Sequence, residues 1–131
     1  MNPSIIKNPT VEISTDLLDQ LQAFTAEESQ VVVHCIYSSD KPWMHIRIQP
    51  TTFLYDIGSS HRSDLVHFEN IVLAPNWQRL PQTGEAFFSL IFSGLPKGCT
   101  AFDLVELNEP SPFQATGIGR NSDDVYYISL R

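Results

Sequence analysis

From Gln30 onward hydrophobic and polar positions fall into short β-prone runs, some alternating with a period of two, the spacing of strands that bury one face. The clearest case is Trp43-Met44-His45-Ile46-Arg47-Ile48. Met44, Ile46 and Ile48 share one face there, and Trp43, His45 and Arg47 share the other. Residues 30–37 are β-branched and aromatic and apolar on nearly both faces, which predicts a central strand. Residues 86–92 form the most apolar run, with Phe88, Leu90 and Phe92 predicted to face the interior beside Met44, Ile46 and Ile48. Shorter apolar runs predict further strands over 53–55, 64–68, 71–73, 101–107, 113–118 and 124–130.

Turn chemistry separates these runs. Ser38-Ser39-Asp40-Lys41-Pro42, Asp56-Ile57-Gly58-Ser59-Ser60, Gln82-Thr83-Gly84 and Gly94-Leu95-Pro96-Lys97-Gly98 supply the residues that reverse a chain. One segment departs from the period of two. Leu17, Leu18, Leu21 and Phe24 fall at helical spacing, Asp16 can cap the start, and Asp19 suits the first turn. This predicts one short helix near residues 16–25, laid across an open end or edge. There is no internal repeat, linker or low-complexity tract, so residues 1–131 are expected to form one domain. The expected fold is all-β, a single immunoglobulin-like sandwich of about eight or nine strands, with a small barrel as the alternative.

Several of these strings carry a resemblance. Trp43, Phe53-Leu54-Tyr55-Asp56 with Gly58, Leu80-Pro81-Gln82-Thr83-Gly84-Glu85, Phe88-Ser89-Leu90-Ile91-Phe92 and Leu95-Pro96 resemble bacterial immunoglobulin-like accessory domains. In those domains a strand ending in Asp-x-x-Gly precedes a Pro-Gly-Glu type entry into the longest core strand. The run from Val31 to Tyr127 also resembles small uncharacterised bacterial proteins of Bacteroidota type. The resemblance implies a fold and no activity, since a fold hosts many functions.

Composition narrows the function classes. A formal charge of −7 and the lack of any basic block argue against a nucleic-acid partner. No apolar run approaches the ~20 residues of a membrane span. The first residues, Met1-Asn2-Pro3-Ser4-Ile5-Ile6-Lys7, carry no secretory leader pattern, so a cytoplasmic location is expected. Cys35 and Cys99 bracket Trp43 in the order seen in disulfide-linked immunoglobulin domains. Cys99, however, lies in a turn, and a reducing compartment disfavours a bridge. Both cysteines are expected to be free thiols.

Chemistry-bearing constellations are sparse. There is no Gly-x-Ser-x-Gly elbow, and the neighbours His34 and Cys35 point to opposite faces of one strand. His34, His45, His61 and His67 lack metal-ligand spacing, although His45 could face His34 if their strands paired. The acidic loop pairs lack the calcium-loop pattern, and Gly117-Ile118-Gly119 precedes no helix that could cradle a phosphate. Asp103 and Glu106 have opposite strand parity and cannot work together on one face. No cofactor or metal is expected, and no catalytic residue can be assigned. What remains is a surface. Trp43, His45 and Arg47, together with Trp77 and Arg79 in a proline-flanked loop, have the aromatic-plus-arginine composition of interface centres. A non-catalytic module that recognises a protein or forms a homo-oligomer is therefore expected. The alternative is a small-ligand or carbohydrate binder that stacks its ligand on an exposed tryptophan.

Overall fold

A computed structural model describes residues 29–41, 44–107 and 113–130. The helix expected near 16–25 and the side chain of Trp43 lie outside the described residues. Within them the chain is all-β and sandwich-like. Nine strands run in order: β1 (Val31–Ser38), β2 (His45–Ile46), β3 (Thr52–Asp56), β4 (Arg62–Glu69), β5 (Gln78–Arg79), β6 (Glu85–Phe92), β7 (Ala101–Glu106), β8 (Gln114–Gly119) and β9 (Val125–Leu130). Seven form one hydrogen-bonded order, β8-β7-β3-β4-β6-β1-β9, and β2 pairs with β5 in a separate ribbon.

The seven-strand order divides at β4. Its first half, Arg62 to Asp64, pairs with β3, and its second half, Leu65 to Glu69, pairs with β6. The register shifts between Leu65 and His67, so Val66 is the extra residue of a bulge. A bulge bends a strand and lets it turn a corner from one layer to the next. It also resets which side chains face inward. Ser63 is buried, and strict alternation from it would bring His67 inside. The extra residue instead turns Phe68 toward the core and leaves His67 exposed.

Between the layers lies the core. Val31, Val33 and Cys35 of β1 meet Ala86, Phe88, Leu90 and Phe92 of β6, while Leu54, Phe102 and Leu104 come from the other layer. Ile46 and Ile48 are fully enclosed and Met44 packs partly against them, as the alternation predicts. β1 lies between β6 and β9, which suits its apolar character on both faces. Two local expectations change. Residues 71–73 form no strand but only an isolated parallel bridge between Leu73 and Ile48. Gln78 and Arg79, expected in a loop, pair with β2. Proline at 75 and 81 limits both pieces to a few residues, so pairing depends on tertiary neighbours rather than local propensity.

Two turns are fixed by single residues. Gly84 adopts φ +82°, and a Cβ placed on it would stand 2.7 Å from the backbone oxygen of Ser39, so no other side chain fits there. In the β3–β4 hairpin, Asp56 accepts Gly58 N–H at 2.9 Å and the Ser59 hydroxyl at 2.6 Å. The Ser59 hydroxyl first, then the Gly58 amide, holds the Asp56 carboxyl below its ordinary range.

β8 and β9 stand at opposite ends of the seven-strand order, yet residues 120–124 alone connect them. The sheet must therefore curl until its two edges come within the span of that link. The link is clasped. Arg120 donates to both carboxylate oxygens of Asp124, at 2.6 and 2.9 Å, and to the carbonyls of Pro96 and Cys99 at 2.8 and 3.3 Å. Tyr126 donates to Asp124 at 2.8 Å, and Val32 N–H donates to the Asp124 carbonyl at 2.9 Å. The Arg120 and Asp124 side chains are only 18% and 11% exposed.

Two outcomes test this description. Arg120→Ala leaves a buried carboxylate without its partner and should lower unfolding free energy by about 3 kcal/mol in urea titration. A depressed folded-state pKa means that Asp56 stabilises the protein above its unfolded-state value. That contribution disappears as pH falls through the lower folded value. Asp56→Asn should therefore flatten the acid limb of a melting-temperature profile below about pH 4.

Candidate functional site

The β2–β5 ribbon gathers the predicted surface residues. His45 pairs with Arg79 and Ile46 with Gln78, which sets Arg47 against Trp77 in the same register. Partners in an antiparallel pair share a face, so Ile46 fixes the orientation of the ribbon. Ile46 is buried, and the opposite face carries His45, Arg47, Trp77 and Arg79. Four of the five candidates thus come together, and Trp43 lies outside the described residues.

The geometry within the ribbon is specific. The Arg47 guanidinium carbon lies 3.9 Å from the Trp77 ring centroid, and its Nη1 donates to the Pro75 carbonyl at 3.2 Å. A cation over an indole face is attracted by the ring quadrupole, which holds both groups in place. Trp77 remains 56% exposed, and His45 and Arg79 are exposed. Sequence reinforces the charge of this face: neither 41–55 nor 70–84 contains an aspartate or glutamate. The ribbon is therefore a locally cationic, aromatic surface on a chain of net charge −7.

A second feature was not legible in the sequence. On the outer face of β4, β6, β1 and β9 there is an open concavity of about 440 Å³. His34 Nδ1 lies 2.7 Å from the Ser89 hydroxyl, and the His34 ring stacks on Tyr127 with centroids 5.0 Å apart. Phe87 and Tyr127 are 55% and 79% exposed beside them. His34 pairs with Ser89 on one side and Tyr127 on the other. Three distant stretches of sequence meet only through this register. The inward prediction for Phe88, Leu90 and Phe92 left Phe87 and Ser89 facing outward, and that was the one available signal.

The other sequence candidates separate. β1 does not pair with β2, so His34 and His45 are not cross-strand neighbours. Among the described residues, no three His, Cys, Asp or Glu side chains gather in a way that could hold a metal ion. Asp103 and Glu106 point to opposite sides of β7 and both hold backbone amides. Asp103 accepts Gly117 N–H at 2.8 Å, and buried Glu106 accepts Gln49 N–H at 2.8 Å. Cys35 and Cys99 are free, buried thiols. Burial pushes the Cys35 thiol up to about 12; burial, then the Asp56 carboxylate, raises Cys99. Both shifts disfavour the thiolate, the nucleophilic form of cysteine. Cys35 should stay unlabelled by a thiol reagent in the folded protein at pH 8 and react once denatured, as mass spectrometry would show.

No family model, no curated protein and no solved structure matches this chain.

Proposed function

We propose that this chain is a non-catalytic interaction module and that the outer face of the β2–β5 ribbon contacts a partner protein. The observation that carries the reading is the Arg47–Trp77 stack, flanked by His45 and Arg79 on a ribbon whose two segments, 41–55 and 70–84, hold no aspartate or glutamate. Arginine and tryptophan are enriched among the few residues that carry most of the binding energy at the centres of protein interfaces. Here the guanidinium is already held by the indole and the Pro75 carbonyl, so less freedom is lost on binding. The net charge of −7 disfavours association of like molecules at long range. A different protein is therefore favoured over a second copy. Two free, buried thiols suit the reducing, cytoplasmic setting expected from the sequence. The immunoglobulin-like character and bacterial resemblance belong to the same reading.

Partner capture and sedimentation test it. Trp77→Ala removes a half-exposed side chain and should shift the melting temperature little. With the captured partner purified, that variant should bind about 30-fold more weakly, the equivalent of ~2 kcal/mol. Arg79→Glu should also weaken binding, by reversing charge at the rim. Wild-type affinity in both variants would overturn the reading. Concentration-dependent self-association abolished by Trp77→Ala would assign the face to a second copy instead.

A further inference from the structure

We infer that the concavity on the outer face of the four-strand layer is a separate binding site for a neutral, hydroxyl-rich ring, a sugar unit of an oligosaccharide. It uses none of the ribbon residues and goes beyond the protein-interaction reading.

Shape and rigidity come first. A volume of about 440 Å³ lies within the ~300–1,000 Å³ usual for small-ligand sites. Tyr127 is 79% exposed, yet its ring is not loose, because one face rests on the His34 imidazole at 28° between planes. The far face of that ring is a flat, apolar platform. Phe87, 55% exposed, gives a second apolar surface beside it. An aromatic face of this kind suits the C–H face of a sugar, which is apolar where its hydroxyls point sideways.

Polar groups are arranged around those rings. The His34 Nδ1–Ser89 Oγ contact of 2.7 Å fixes the imidazole, so Nε2 is the nitrogen left to meet a ligand. Asn70 lies on the rim with its amide donating to the Phe87 carbonyl, and Glu69 stands beside Ser89 in the strand register. Together these offer donors and acceptors at the edge of an apolar platform, the pattern that hydroxyl groups require.

Charge then selects the class. No lysine or arginine is among the described lining residues, and the one carboxylate is Glu69. A phosphate, carboxylate or acidic sugar would meet repulsion and no cation. An organic cation is drawn to aromatic faces and would gain further from a desolvated negative charge. Glu69 is instead 68% exposed at the rim, 3.4 Å from His67, where water screens it. A neutral polyhydroxylated ring needs neither charge and, unlike an alkylammonium, uses the donors and acceptors around the rings.

Calorimetry and NMR titration of the full chain test the site, with cellohexaose, xylohexaose and maltoheptaose as neutral probes. An oligogalacturonate serves as the anionic probe and choline as the cationic one. At least one neutral oligosaccharide should bind and shift the amides of residues 34, 87, 89 and 127. Tyr127→Ala and Phe87→Ala remove exposed rings and should leave the melting curve near wild type. Each should weaken that binding at least tenfold, while Trp77→Ala leaves it unchanged. Binding of none of the three neutral probes, or preference for the oligogalacturonate or choline, overturns the proposal. So does sugar binding that survives Tyr127→Ala. Self-association that Tyr127→Ala abolishes overturns it as well, by showing that a second copy covers this face.

Discussion

The constraint on which the rest depends is covalent and short: residues 120–124 join strands at the two ends of a seven-strand order. A flat sheet of that width would hold its edges far apart, since neighbouring strands are spaced ~4.8 Å. The link forces the sheet to curl, and curling encloses Phe92, Phe102, Leu90 and Leu104 between two layers. Ordering such a link carries an entropic cost that hydrophobic burial alone does not localise there. The Arg120–Asp124 pair supplies the local compensation. Its bidentate geometry, and the Pro96 and Cys99 carbonyls that accept from Nη1, give four of the five guanidinium donors a partner, as a largely buried charge requires. Asp124 adopts φ +54° at this point. Glycine would adopt that backbone more easily but would leave Arg120 without its carboxylate.

Closure also determines what is left outside. Because one layer turns into the other along β4, the bulge at Val66 decides the facing of everything beyond it in that strand. It puts Glu69 on the outer face beside Ser89, and thus on the rim of the concavity. A second bulge works at the far edge, where the β7–β8 register shifts between Phe102 and Leu104. There Gly117, at φ +64°, donates to Asp103. It blunts edge strand β8 with glycine and irregular pairing, a common protection against further strand addition. Among the surfaces left open on the described residues are the ribbon face and the outer sheet face.

Periodic residues made the long strands legible. β1, β3, β4, β6, β7, β8 and β9 all coincide with apolar runs, and the 56–60 and 82–84 turns fall where Asp and Gly occur. Facing was legible too: Ile46 and Ile48 are inside, and His45 is outside. What escaped has a shared physical cause. β5 and the Leu73 bridge are too short to have a period, so only their neighbours define them. A bulge is one extra residue that changes no composition. For the ribbon, sequence named the residues but not the Arg47–Trp77 stack, because 30 positions separate them (77 − 47) and only strand pairing closes the gap. His34, Ser89 and Tyr127 form a site only once β6, β1 and β9 lie side by side.

The two open surfaces also differ in the electrostatics available to them, although they share one acidic chain. Part of that acidity is inside. Asp56, Glu106 and Asp124 are buried, each holding backbone amides or a guanidinium, so their role is architectural. The exposed acids that remain shape the long-range field, but at physiological salt that field decays over ~8 Å. A partner at the ribbon would meet Arg47 and Arg79 at contact, with no acidic residue in segments 41–55 or 70–84. Local attraction can then prevail at contact over repulsion at a distance, so charge would act on orientation and specificity more than on capture from afar. In the concavity, by contrast, no fixed cation competes with the rings and hydrogen-bonding groups. Selection of a ligand there would rest on shape and on how completely each polar group is satisfied.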